Sequence, residues 1–132
     1  MSHLLIAAAV IEGVFGLLLI ALPARAVNLV LGVALSAPVE LVLAQMSGAA
    51  LLALGVACWL AHNDGKSDAA LGLVGGMVVY NAGVAIILIS AALGPGLAGI
   101  LLWPAVVLHV TMTVWCALLL LVGQESTIAR VH

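Results

Sequence analysis

The chain has 132 residues and only eight charged side chains, three Lys or Arg and five Asp or Glu, against 67% hydrophobic residues and a mean hydropathy of +1.43. At 6% charged residues, where a soluble domain carries about 25%, it cannot cover a folded surface in water, so a soluble globule is excluded. Three cations cannot neutralise a run of phosphates, and high hydropathy with low charge is the reverse of a disordered composition. An integral membrane protein remains.

A spanning helix needs about 20 mostly apolar residues. Four segments reach that length. The first covers about 4–22 and stops at Pro23; the second covers about 39–61 and ends in the polar cluster from His62 to Asp68. The third covers about 69–93 and is closed by Gly94-Pro95-Gly96, which cannot continue a helix. The fourth covers about 97–122, with Gly123 as the expected stop and a polar tail over 123–132. The runs are continuously apolar, without the alternation of barrel strands, so helices are expected throughout. A leader peptide would place small residues such as Ala24-Arg25-Ala26 after the first run. Met1-Ser2-His3 carries no Lys or Arg, and the run is long enough to span, so a retained first helix is expected.

The connection 23–38 is too short to cross and yet apolar, with Val27, Leu29, Val30, Leu31, Val33 and Leu35. It predicts a short interfacial helix packed on the bundle, with Pro23 at its first position. Any re-entrant part would have to be covered by protein. Four crossings put Lys66 and Arg130 on one side and Arg25 on the other, so both termini are expected in the cytoplasm. Trp59 and Trp103 suit opposite interfacial belts. Cys58 and Cys116 sit in apolar runs without metal-ligand spacing and read as small buried hydrophobes.

Lipid tails are as apolar as Leu, so spanning helices associate through close backbone approach and polar contacts. The first segment offers Ala8, Glu12 and Gly16 on one stripe, the second Ala44, Gly48 and Gly55. The third offers Gly72 and Gly76, with Tyr80 next on the stripe and Gly83 beside it. All of these glycines are expected to serve helix packing. Pro104 either kinks the fourth segment or lies in its first turns.

An ionisable group inside a spanning helix marks a functional hypothesis by default. Glu12, Asn81 and His109 each lie near the middle of a different segment. They predict a polar cluster at one depth in which Glu12 pairs with His109 or Asn81, helped by Tyr80. An isolated carboxylate in hydrocarbon takes up a proton unless a cation or several donors face it. Three uses stay open: mutual satisfaction as interhelical glue, a proton or cation site at Glu12, or a ligand site at His109. A bis-His haem is disfavoured, because His3, His62 and His132 lie at the ends or outside. Glu40 falls in a first helical turn, where a carboxylate suits the helix dipole, with Arg25 as a possible partner. Gln45, one turn deeper, can join the polar cluster, whereas Thr113, on the His109 face, and Thr111 can bond back to their own helix. The chain has no phosphate loop, no nucleophile elbow and no paired carboxylates, so a non-enzymatic role is expected, with an enzyme on a lipid substrate left open.

The stretches GLLLIALP (16–23), SGAALLALGVACWLA (47–61), YNAGVA (80–85) and LLWPAVVLHVTMTVW (101–115) resemble the small four-helix DoxX-like membrane proteins of bacteria. That resemblance implies a four-helix membrane bundle in the bacterial inner membrane and carries no activity. The small multidrug-resistance transporters also have four helices and a Glu in the first. Here Glu12 is followed by Gly13-Val14-Phe15, and the Lys and aromatic pattern of that family is missing. The expected fold is therefore all-α: four spanning helices and a short interfacial one. The expected role is an accessory or assembly subunit, or a binder of an apolar small molecule such as a lipid, quinone or pigment. Its contacts would be lateral, with membrane lipid, other spanning subunits or further copies of the chain, and none with nucleic acid. The alternative is a small transporter using Glu12.

Overall fold

Apolar runs that must satisfy their own backbone hydrogen bonds become helices, and proline, glycine or polar clusters end them. In the computed structural model, which describes residues 1–64 and 67–128 (the last six by backbone alone), five helices follow one another: α1 (Ser2–Ala21), α2 (Pro23–Leu31), α3 (Pro38–Ala61), α4 (Asp68–Leu93) and α5 (Leu102–Ile128). Among the described residues there is no strand. All but α2 are long and apolar enough to cross a membrane, the pattern of a multi-pass membrane protein. Lys66 and Arg130, on which the expected orientation rests, lie outside the described residues.

Two boundaries differ from those read in the sequence. The last helix begins at Leu102 rather than near 97, because residues 97–101 are tied elsewhere. The Leu97 N–H donates to the Ala91 carbonyl (3.0 Å), and the Leu101 N–H to the Leu29 carbonyl (2.8 Å). Pro104 thereby falls in the first turn, where a missing N–H is harmless. At the other end α5 runs through Gly123 to Ile128. One glycine costs a helix only about 1 kcal/mol, too little to end it.

Between α1 and α3, α2 is a single amphipathic piece. Pro23 starts it, and Gly32, in the left-handed region at φ 74°, closes it with an N–H to the Asn28 carbonyl at 2.8 Å. It buries Ala26 completely, and Gly99 packs so closely on the Val30 carbonyl that a side chain there has no room. The helix is therefore clasped onto the end of the bundle.

The spanning helices form two antiparallel pairs. In α1–α3 the backbones touch: a Cβ on Gly16 would stand 2.7 Å from the Leu52 nitrogen, and one on Gly48 would stand 2.7 Å from the Gly16 carbonyl oxygen. In α4–α5 side chains fill the seam. Val74, Met77, Asn81, Ala85 and Leu88 of α4 are buried, as are Leu102, Val106, Met112 and Cys116 of α5. The two pairs meet in one core cluster of Leu4, Leu5 and Ala8 from α1, Cys58 from α3, Val74 and Met77 from α4, and Met112 and Cys116 from α5. Toward the α2 end this common core gives way to a cavity.

Candidate functional site

A cavity of about 360 Å³ lies between the two pairs. Its walls are apolar, with Phe15 of α1, Val30 of α2, Leu51 of α3, Val84 and Leu88 of α4, and Pro104, Ala105 and Leu108 of α5. Among the described residues, Glu12, Tyr80 and His109 alone break that lining. Each lies within about one turn of a common-core residue on its own helix, Glu12 after Ala8, Tyr80 after Met77 and His109 before Met112, so they sit at the end next to that core. Shape and lining match a ligand pocket, which typically holds about 300–1,000 Å³ and a few convergent polar groups.

Hydrogen bonds pair these groups in a way the spacing alone does not give. The Tyr80 hydroxyl donates to Glu12 Oε2 at 3.0 Å and so bridges the two helix pairs. Asn81, wholly buried, bonds within its own pair: its Nδ2 donates to the Met77 carbonyl at 2.8 Å, and its Oδ1 lies 2.8 Å from His109 Nδ1. Glu12 is thus bonded to Tyr80 rather than to Asn81 or His109. The reason is reach, for Tyr80 extends across the gap while the Asn81 amide is occupied at both ends inside α4–α5. The Tyr80 and His109 rings stand edge to face with centroids 5.7 Å apart, joining the two hydrogen-bonded pairs at one end of the cavity. Glu12 is 4% exposed, and among the described residues no fully buried side-chain nitrogen or oxygen is without a partner.

The other polar residues lie apart from this group. Gln45 Nε2 donates to the Ile20 carbonyl at 3.1 Å instead of entering the cluster. Ile20 is in the last turn of α1, where carbonyls lack helical partners, and Gln45 supplies one. Glu40 closes the start of α3, its Oε2 accepting from the N–H groups of Ser36 (2.9 Å) and Ala37 (3.0 Å), so its carboxylate serves its own cap rather than Arg25. Thr113 Oγ1 donates to the His109 carbonyl, and Thr111 Oγ1 to that of Val107. Cys58 and Cys116 are buried free thiols. Gly16 and Gly48 form the α1–α3 contact, whereas a Cβ on Gly72, Gly76 or Gly83 would meet nothing within 4 Å.

No family model, curated protein or solved structure matches this chain. The cavity itself must carry the functional reading. Its apolar wall is the part that sequence reading missed, since Phe15, Val84 and Leu108 look like any lipid-facing residue. The one available signal was the apolar character of 23–38, which brings Val30 to the cavity.

Proposed function

We propose that this chain is a multi-pass membrane protein that holds one apolar small molecule, a lipid, quinone or pigment, between its two helix pairs. The observation that supports this reading is a cavity that is apolar along its length and polar at one end. A hydrocarbon body suits the wall of Phe15, Val84 and Leu108, and a polar head suits Glu12, Tyr80 and His109. Water is a poor occupant of the apolar length, because each ordered water needs two to four polar partners. The same reading places the chain in the bacterial inner membrane as an accessory subunit with both termini cytoplasmic. Its outer faces are apolar, with Val79 and Ile100 more than 70% exposed, and suit lipid or other spanning helices.

Native mass spectrometry of the protein extracted gently from its own membrane tests this. A stoichiometric apolar adduct is expected on the wild type and not on Ala105→Phe, which fills the cavity. A bare wild-type chain, or an adduct retained by Ala105→Phe, would overturn the reading.

A further inference from the structure

The hydrogen bonds around His109 fix what its ring offers to the cavity. A backbone carbonyl only accepts, so the amide atom of Asn81 facing the Met77 carbonyl must be Nδ2. Oδ1 is then the atom facing His109, and it too only accepts, so Nδ1 of His109 carries the proton. In the neutral ring the remaining nitrogen, Nε2, is an acceptor. It has no partner among the described side chains, yet no fully buried nitrogen or oxygen there is unpartnered, so Nε2 reaches open space. His109 lines the cavity, and Glu12 lines the same end with its Oε1 also unbonded.

Resting on the reading of the cavity as a ligand site, we propose that its occupant carries a hydroxyl head, an alcohol or a phenol, that donates to His109 Nε2. A head that only accepts, such as a ketone, ester or ether, leaves Nε2 unpaired. An amide nitrogen can donate but cannot accept at the same atom. One hydroxyl oxygen does both, giving its proton to His109 and accepting from Oε1 of the neighbouring Glu12 when that carboxyl is protonated, its Oε2 remaining the acceptor for Tyr80. The chain Met77 carbonyl, Asn81, His109, ligand hydroxyl then runs in a single donor-to-acceptor direction.

The test compares para-dodecylphenol with its O-methyl ether, titrated onto the protein in nanodiscs of saturated phosphatidylcholine. Ala105→Phe provides the reference for plain partitioning into lipid. The wild type should bind the phenol about tenfold more tightly than the ether, the worth of one hydrogen bond. His109→Phe should bring the phenol down to the ether's affinity and leave the ether unchanged. Equal binding of both probes by the wild type would overturn the hydroxyl assignment and leave the cavity reading standing. Binding of neither above the reference would overturn both. Nitrogen-15 NMR of histidine-labelled protein checks the premise without a ligand, since a proton found on Nε2 of His109 would also overturn the assignment.

Discussion

Gly48 of α3 and Gly76 of α4 are the same residue in neighbouring spanning helices, and the fold uses them in opposite ways. Gly48 lets two backbones touch: a Cβ on it would sit 2.7 Å from the Gly16 carbonyl oxygen and 2.8 Å from Leu19 Cβ. Gly76 faces outward with nothing within 4 Å of where its Cβ would be. The α1–α3 pair is thus held by backbone proximity. The α4–α5 pair is held by side chains with a half-buried polar contact between them, Asn81 to His109. Two modes of packing in one small bundle explain why a cavity exists. A glycine seam brings axes close and leaves no room inside the pair, while a side-chain seam sets its own spacing. The two pairs share one core cluster around Met77 and Cys58, and next to it the cavity lies between them.

Breaking the glycine seam should have the largest effect. Gly48→Ala forces α1 and α3 apart or strains both backbones, a cost of about 3 kcal/mol at the upper end for overpacking. Reversible unfolding of the protein in bilayers or mild detergent would read it. A change under about 1 kcal/mol would mean that the seam is looser than its geometry indicates.

The side-chain seam should answer to a polar change instead. Asn81→Leu leaves the Nδ1–H of His109 without its acceptor in a closed site, and about 2 kcal/mol of stability should be lost. The double variant Asn81→Leu/His109→Phe should recover part of that, because removing both partners costs less than stranding one. If the double variant is worse than the sum of its parts, the polar pair is not an isolated contact. Next in size is the bridge between the pairs. Tyr80→Phe removes the hydroxyl that donates to Glu12 and should cost about 1 kcal/mol, whereas Glu12→Gln keeps an acceptor there and should cost less.

The helices were legible in the sequence because bilayer length and apolar composition act residue by residue. So was the set Glu12, Tyr80, Asn81 and His109, since polar groups stand out against hydrocarbon. Their pairing was not. Whether Glu12 meets Tyr80 or His109 depends on how far two helix pairs stand apart, which no local pattern records. Gln45 misleads for a related reason: its depth suggests the cluster, but a helix end with free carbonyls lies closer. The glycines mark the same boundary. Four-residue spacing reads alike at Gly72 and Gly76 as on the helices that do touch, because spacing describes one helix and packing needs two. The start of α5 lies later than the apolar run because the Leu97 N–H closes back on α4 and residues 99–101 rest on α2, distant in the chain.

The smallest predicted effect is also the sharpest test of the contrast. Gly76 sits mid-helix with an outward face, so Gly76→Ala removes backbone freedom from the unfolded chain and meets no obstacle in the folded one. A gain of about 0.5 kcal/mol is expected, opposite in sign to Gly48→Ala. The measurement should be made at two protein-to-lipid ratios. A neutral or favourable change at both means that the outer face of α4 meets lipid alone. A loss that grows with protein density would mean that Gly76 lies against a second copy of the chain, so that both glycines do the same work, one inside the molecule and one between molecules.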